Sequence, residues 1–265
     1  MAITETVDLL GKGLYDDIPD VLTLSSIPTA SELEYVSAED FDATMLDKIL
    51  PSAIKENIDC RKLLEIDYQW VCRCLRLLNY GPYHTANAIF CEKCGTQYGE
   101  YRVNLTSIGC KPLPDGFVND ICISRDEFID FNEDIHIKLP TIQKMINAYK
   151  DNAFKDSSGR TKREFARICY MVSAVGTRQM LSPIDIKVII QNEFSAADYI
   201  ILRDRVSELT DYGLRAGGSV KCPKCGGDAA FIALIDDKFF RPTLGDLREW
   251  KHDRSKGKNK DASRG

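Results

Sequence analysis

The hydrophobic spacing of the chain changes period twice, and those changes divide it. Residues 1–20 show little periodicity and read as an N-terminal arm. VLTLSSI (21–27) has the composition of a strand. Thr29 and Glu32 then stand at capping-box spacing, which predicts a short helix through Val36. A further helical stretch opens near Phe41, and Pro51 should break or kink it. Asp67 is placed to cap the clearest helix of this half. Tyr68, Val71, Leu75 and Leu78 share its apolar face, and Gly81-Pro82 stops it.

The period then shortens to two. Tyr101, Val103 and Leu105 alternate with Glu100, Arg102 and Asn104, and Ile135, Ile137 and Leu139 alternate with Asp134, His136 and Lys138. Each run predicts a half-buried strand, with KPLPDG (111–116) as a loop between them. After Pro140 helical spacing returns. Ile142, Met145, Ile146 and Tyr149 mark one helix, and Phe165, Ile168, Cys169 and Val172 a second. Ser182-Pro183 starts a third, with proline at the first helical position, where its missing amide costs nothing. Ser195 caps a fourth, striped by Tyr199, Leu202, Val206 and Leu209, and Gly213 and Gly217-Gly218 close the block.

Two Cys-x-x-Cys turns interrupt this pattern: FCEKCG (90–95) and KCPKCG (221–226), with 127 residues between Cys94 and Cys222. Both carry glycine after the second cysteine (Gly95, Gly226) and lysine before it (Lys93, Lys224), and each precedes a strand-like run. Two such knuckles build a zinc ribbon, each contributing two thiolates to one tetrahedral ion. Closing so long a loop costs only on the order of 4 kcal/mol, because the penalty grows logarithmically. Structural zinc supplies roughly 10–16 kcal/mol. The expectation is therefore one shared zinc site formed by Cys91, Cys94, Cys222 and Cys225. It is preferred to two separate sites, the first completed by His84 or Cys110, and to a redox pair, which would need a βαβ setting. Cys72 and Cys74, at i and i+2 of a helix, point apart. With Cys60, Cys110, Cys122 and Cys169 they read as packed apolar thiols.

Composition narrows the chemistry. Apolar residues make up 44% of the chain and charged ones 28%, as in a soluble globular protein. No apolar run approaches the roughly 20 residues that span a bilayer, so no membrane partner is expected. The first residues lack the pattern of a signal peptide, which implies a cytoplasmic, reducing setting in which cysteines serve as ligands or core. The net charge of −5 argues against a general nucleic-acid footprint. Arg248–Gly265 is basic, with seven Lys or Arg against three acids, and reads as a disordered tail. Three histidines, no paired carboxylates at a usable spacing and no nucleophile with a base leave no catalytic residue to name. Gly11-Lys12-Gly13 lacks the first glycine and the Ser/Thr of a phosphate loop. A non-enzymatic protein follows.

The order of features also resembles a family. The helix ending in LLNYGPY, then CEKCG, a strand, and IHIKLP leading into helices, with FFRP (239–242) after the second knuckle, resembles the T-even-type phage baseplate proteins associated with the central tail hub. The resemblance covers about residues 15–150 and 216–242. It implies a component or assembly factor of the baseplate hub. Its partners would be other baseplate, hub or tape-measure proteins, and it would reside in the host cytoplasm during assembly or in the virion tail. The alternative is a nucleic-acid-binding zinc-ribbon accessory protein. Against it, Lys93, Arg102, Lys221 and Lys224 are the few basic residues near the knuckles, with no aromatic interleaving.

The expected architecture is α+β: a mostly helical chain with a small antiparallel zinc-ribbon element interrupted by a helical insertion. Its parts are an arm (1–20), a helical and β region with the first knuckle (21–140), a helical insertion (141–212), the second knuckle (213–242) and a basic tail (243–265).

Overall fold

The computed structural model describes residues 3–215, 217–232, 235 and 238–251. The fold is α+β, 43% helical and 21% strand, with several small antiparallel sheets. This corrects the expectation of a mostly helical chain bearing a zinc ribbon. Short strands outside the knuckles, too brief to show a period, account for much of the difference.

The arm is not featureless. β1 (Thr4–Asp8) pairs antiparallel with β2 (Val21–Ser25), and Val7, Leu9 and Ile18 are buried. Only Val7 of β1 faces the core, so no alternation was there to be read. α1 (Thr29–Val36) forms where expected, but no side chain caps it. Glu32 instead accepts a hydrogen bond from the Tyr80 hydroxyl at 2.9 Å. From Phe41 the backbone is helical through Pro51: α2 (Phe41–Thr44), a π-helical turn Met45–Ile49, and α3 (Leu50–Ala53). Such a wide turn is a usual way for a helix to absorb a local irregularity.

α4 (Glu65–Tyr80) is the axis of the first core, with Val71, Cys72 and Leu75 fully buried. Asp67 lies inside this helix and does not cap it. Its buried carboxylate accepts from the backbone of Leu10 (2.5 Å) and Gly11 (3.2 Å) and from the Tyr15 hydroxyl (2.5 Å), tying down the loop after β1. Arg76 is also fully buried. It donates to the carbonyls of Phe239 (2.7 Å), Gly81 (2.9 Å) and Tyr83 (2.7 Å), joining α4 to the segment after the second knuckle. Burial lowers its pKa to about 10, partly opposed by Asp246, so it stays charged at neutral pH.

β3 (Tyr83–Cys91) and β4 (Gln97–Asn104) form the first cysteine hairpin, and β5 (Cys110–Lys111) follows. Val103 and Leu105 are buried as their alternation predicts; the side chain of Tyr101 lies outside the described residues. A second core then gathers around β6 (Ile121–Ile123) and β7 (Ile135–Ile137), α5 (Ile142–Lys150), α6 (Arg163–Met171), β8 (Val172–Val175), β9 (Arg178–Gln179), α7 (Pro183–Glu193) and α8 (Ala196–Thr210). Its sheet runs β6-β7-β8-β9. The block 141–212 is therefore not purely helical, and it shares its sheet with residues before Pro140. All four helices occur, although Val172, expected in the second, instead begins β8. Ser182 and Ser195 form capping boxes with Asp185 and Asp198.

The two cores touch. α5 gives Ile142 and Ile146 to the first and Met145 and Ala148 to the second, and Ile142 N donates to Leu63 O at 2.8 Å. β10 (Gly213–Leu214) pairs with β5 and returns the chain to the first half. β11 (Gly217–Lys221) and β12 (Asp228–Ile232) then complete a four-stranded sheet in the order β11-β12-β3-β4. Ile89, Val103, Ala229 and Phe231 bury its inner positions in the first core. The cysteine hairpins are thus part of a larger packed sheet and not a self-standing ribbon.

Residues 244–251 of the segment expected to be disordered are helical, and residues 252–265 lie outside the described residues. Thr243 and Asp246 bond each other's backbone amides at 3.1 and 2.9 Å, starting this helix. Trp250 lies against Gly81, where an added Cβ would fall 2.4 Å from the indole. Gly81 also ends α4 at φ 77, a backbone state that favours glycine, so two independent demands meet at one position. No described helix is long and apolar enough to cross a membrane.

Candidate metal centre

The four cysteines named from their spacing come together. The pairing of Ala229 with Cys91 and of Ala230 with Phe90 sets the hairpin of β11 and β12 beside that of β3 and β4. Each turn closes in the same way. Gly95 N donates to Cys91 O (2.8 Å) and Cys91 N to Thr96 O (3.0 Å). In the second, Gly226 N donates to Cys222 O (2.8 Å) and Cys222 N to Gly227 O (2.7 Å). Gly95 and Gly226 take φ of 66 and 68°, with open space where a Cβ would stand. Backbone conformation, not crowding, therefore calls for glycine at both.

All four Sγ atoms lie within 4.8 Å of one another. Cys91 and Cys225 are 3.6 Å apart and Cys94 and Cys222 3.8 Å. Four thiolates at about 2.3 Å around a tetrahedral ion stand about 3.8 Å from each other. The distances far exceed the ~2.05 Å of a disulfide, and all four cysteines are free. One cysteine of each pair, Cys91 and Cys222, is buried, while Cys94 and Cys225 are half-buried. This cluster could bind a metal ion with its ligand set complete.

The surroundings prepare the sulfurs unequally. The Thr96 hydroxyl, 3.2 Å from Cys94 Sγ, is the first cause lowering that thiol's pKa, helped by the Thr96 amide. Gly227 N donates to Cys225 Sγ at 3.4 Å and favours its thiolate. Burial and the other three thiols outweigh that amide and push Cys225 up to about 12. Only Cys94 of these two is shifted toward the thiolate, and gathering four thiolates here would call for a cation. Thr96 and Gly227 were not singled out from the sequence, although each directly follows the glycine of its turn.

The other candidates fall elsewhere. His84 is buried in β3 against Phe239, with ring centroids 5.4 Å apart, and is no part of the cluster. Cys110 is half-buried in β5. Cys60, Cys72, Cys74 and Cys169 are buried, as packing thiols should be, and burial raises the pKa of each. Cys122 departs from the expectation, for it is exposed on β6 opposite His136. His136 Nδ1 lies 3.0 Å from Asp120 Oδ1. Desolvation, with Asp134, Asp120 and Glu127 nearby, raises the Cys122 pKa, the wrong direction for a nucleophile. Among the described residues no second cluster of three or more ligand groups occurs. Comparison with protein-family models, curated proteins and solved structures finds no significant match to this chain.

Proposed function

We propose that the chain is a non-enzymatic assembly protein in which Cys91, Cys94, Cys222 and Cys225 hold one structural zinc ion. The observation that carries this reading is the tetrahedral spacing of four sulfurs within 4.8 Å. A closed four-thiolate set leaves no coordination position for a substrate, unlike a catalytic zinc with three protein ligands. The ion would tie residues on either side of a long intervening block, which is a structural task. The resemblance of LLNYGPY, CEKCG, IHIKLP and FFRP suggests where such a protein serves: as a component or assembly factor of a phage tail baseplate hub, in contact with other tail proteins.

Elemental analysis and native mass spectrometry of the purified chain test the metal. About one zinc per chain is expected, and each single Cys→Ser replacement among the four should release it, because three ligands do not close the tetrahedron. Iron would be recognised by its visible absorption. Two zinc ions per chain, or metal retained by Cys222→Ser, would refute a shared zinc site. For the assembly role, the tagged chain expressed alongside tail proteins should co-purify with a hub or tape-measure protein. A tight complex with DNA at physiological salt, without such a partner, would reverse that part of the reading.

A further inference from the structure

The sheet β11-β12-β3-β4 ends at β11, and that edge is open. Its outward groups follow from the hairpin. Cys222 N donates to Gly227 O (2.7 Å) at the turn, and the register then runs unbroken from Lys221 with Asp228 to Gly217 with Ile232. Antiparallel pairs alternate between hydrogen-bonded and non-bonded. Val220 and Gly218 therefore bond across to β12, while Gly217, Ser219 and Lys221 turn their amides and carbonyls outward. All three are exposed, and no hydrogen bond from the described residues reaches those groups.

Other edges are blunted. β4 carries the helix at 244–251, held through Arg102 to Asp246 (3.2 Å) and Glu249. Beside β6, Asp120 N and Ser124 N are spent on Val118 O (2.8 Å) and Glu127 Oε1 (3.3 Å). On β1 the Asp8 carbonyl is taken by Trp70 Nε1 at 3.1 Å. β11 has no such cover. It contains no proline and no bulge, and its one lysine is engaged by Asp228 at 2.7 Å. A row of alternating donors and acceptors selects an extended strand as its occupant.

The sequence GGSVK makes this edge complementary to itself. A twofold axis at Ser219 sets Ser219 opposite its own equivalent and Gly217 opposite Lys221, so every outward amide meets a carbonyl. Slipping the register toward the turn brings in Pro223, which has no amide to give. On the inner face, half-buried Val220 then lies opposite Gly218 of the second copy, in a non-bonded pair where side chains approach most closely. The Phe231 ring lies 2.8 Å from where a Gly218 Cβ would stand, so Val220 meets an aromatic ring there and no competing side chain. On the outer face the two Ser219 hydroxyls meet, and the lysines stand at opposite ends, so no like charges are opposed. We infer that β11 pairs antiparallel with β11 of a second copy of this chain, about a twofold axis at Ser219. The pairing does not depend on which metal the cysteines hold or on the tail-assembly reading.

Sedimentation of the purified full chain tests this between about 5 and 500 µM, the range suited to an interface well below the ~1,600 Å² of stable complexes. A reversible monomer–dimer equilibrium is expected. Ser219→Pro removes an outward amide from each copy and should weaken association at least tenfold. Ser219→Lys, which sets two cations directly opposite, should do the same. Neither change touches a bond to β12, so metal content and melting temperature should hold. In the unmodified chain, exchange of the Ser219 and Lys221 amides should slow as concentration rises. A monomer throughout the range, or a dimer that both variants retain, would overturn the proposal. Protection of Ser219 and Lys221 that appears only when another protein is added would also overturn it, assigning the edge to that protein's strand.

Discussion

Asp67 shows how far a single residue can depart from its local signal. Its position before an amphipathic run suggests a helix cap, but its partners Leu10, Gly11 and Tyr15 lie more than fifty residues away in the chain. No spacing rule reaches that far. The cysteines were legible for the opposite reason, since each pair is defined within four residues. Burial raises the Asp67 pKa even though Tyr15, Leu10 and Gly11 all donate to its carboxylate. Burial, then Asp67 itself, raises that of Tyr15. The folded chain therefore keeps the Asp67 proton to higher pH than the unfolded chain. Across that interval the folded state binds more protons, so stability falls as pH rises above about 4, the ordinary carboxyl pKa. Asp67→Asn removes this titration. It should cost about 1–3 kcal/mol near pH 4, where the native hydrogen bonds are lost without compensation, and less near pH 7. Urea denaturation of both chains across that range measures the difference, and a difference that does not shrink with rising pH would contradict the reading.

At the level of elements, signals contained within one turn were readable. Ser182 with Asp185 and Ser195 with Asp198 close capping boxes where the sequence placed helix starts. Thr29 and Glu32 have the same spacing, yet Glu32 is taken by Tyr80 from another helix, so a tertiary bond displaced a local one. The cysteine hairpins show a related limit. Their turns were plain, but the burial of Ile89, Val103, Ala229 and Phe231, which makes them part of a core sheet, depends on residues distant in sequence. That burial predicts how the protein answers to a chelator. Removing the proposed ion would leave four crowded thiols at the turns, while the apolar face of the sheet stays packed. Amide exchange over residues 91–96 and 222–228 should accelerate by at least tenfold, with α4 amides unchanged. Exchange that accelerates equally throughout α4 would show that the ion holds the whole core together.

For the molecule as a whole, the four helices after Pro140 were legible and their docking was not. Gly213 and Gly217-Gly218 marked an end to the helical block. Nothing local showed that Gly213 and Leu214 would pair with Lys111 and Cys110, the step that returns the chain to the first hairpin. The C-terminal segment is a second case. Its basic composition suggested a free tail, yet Asp246 is buried, accepting from Thr85 (3.1 Å) and Arg102 (3.2 Å), and Trp250 covers Gly81 beside the carbonyls that hold Arg76. Charge composition describes solvation and is blind to one aromatic side chain seated on a glycine. Two truncations separate the docked helix from the residues beyond it. Ending the chain after Lys251 should leave the melting temperature within about 1–2 °C, because the sequence beyond it is polar and basic with little apolar surface to bury. Ending it after Pro242 strips the cover from Gly81 and the carboxylate from Arg102. The lost burial of Trp250 is worth about 1–3 kcal/mol, or roughly 3–10 °C in a chain of this size. Equal melting of the two truncated chains would mean that the helix at 244–251 rests on the sheet without stabilising it.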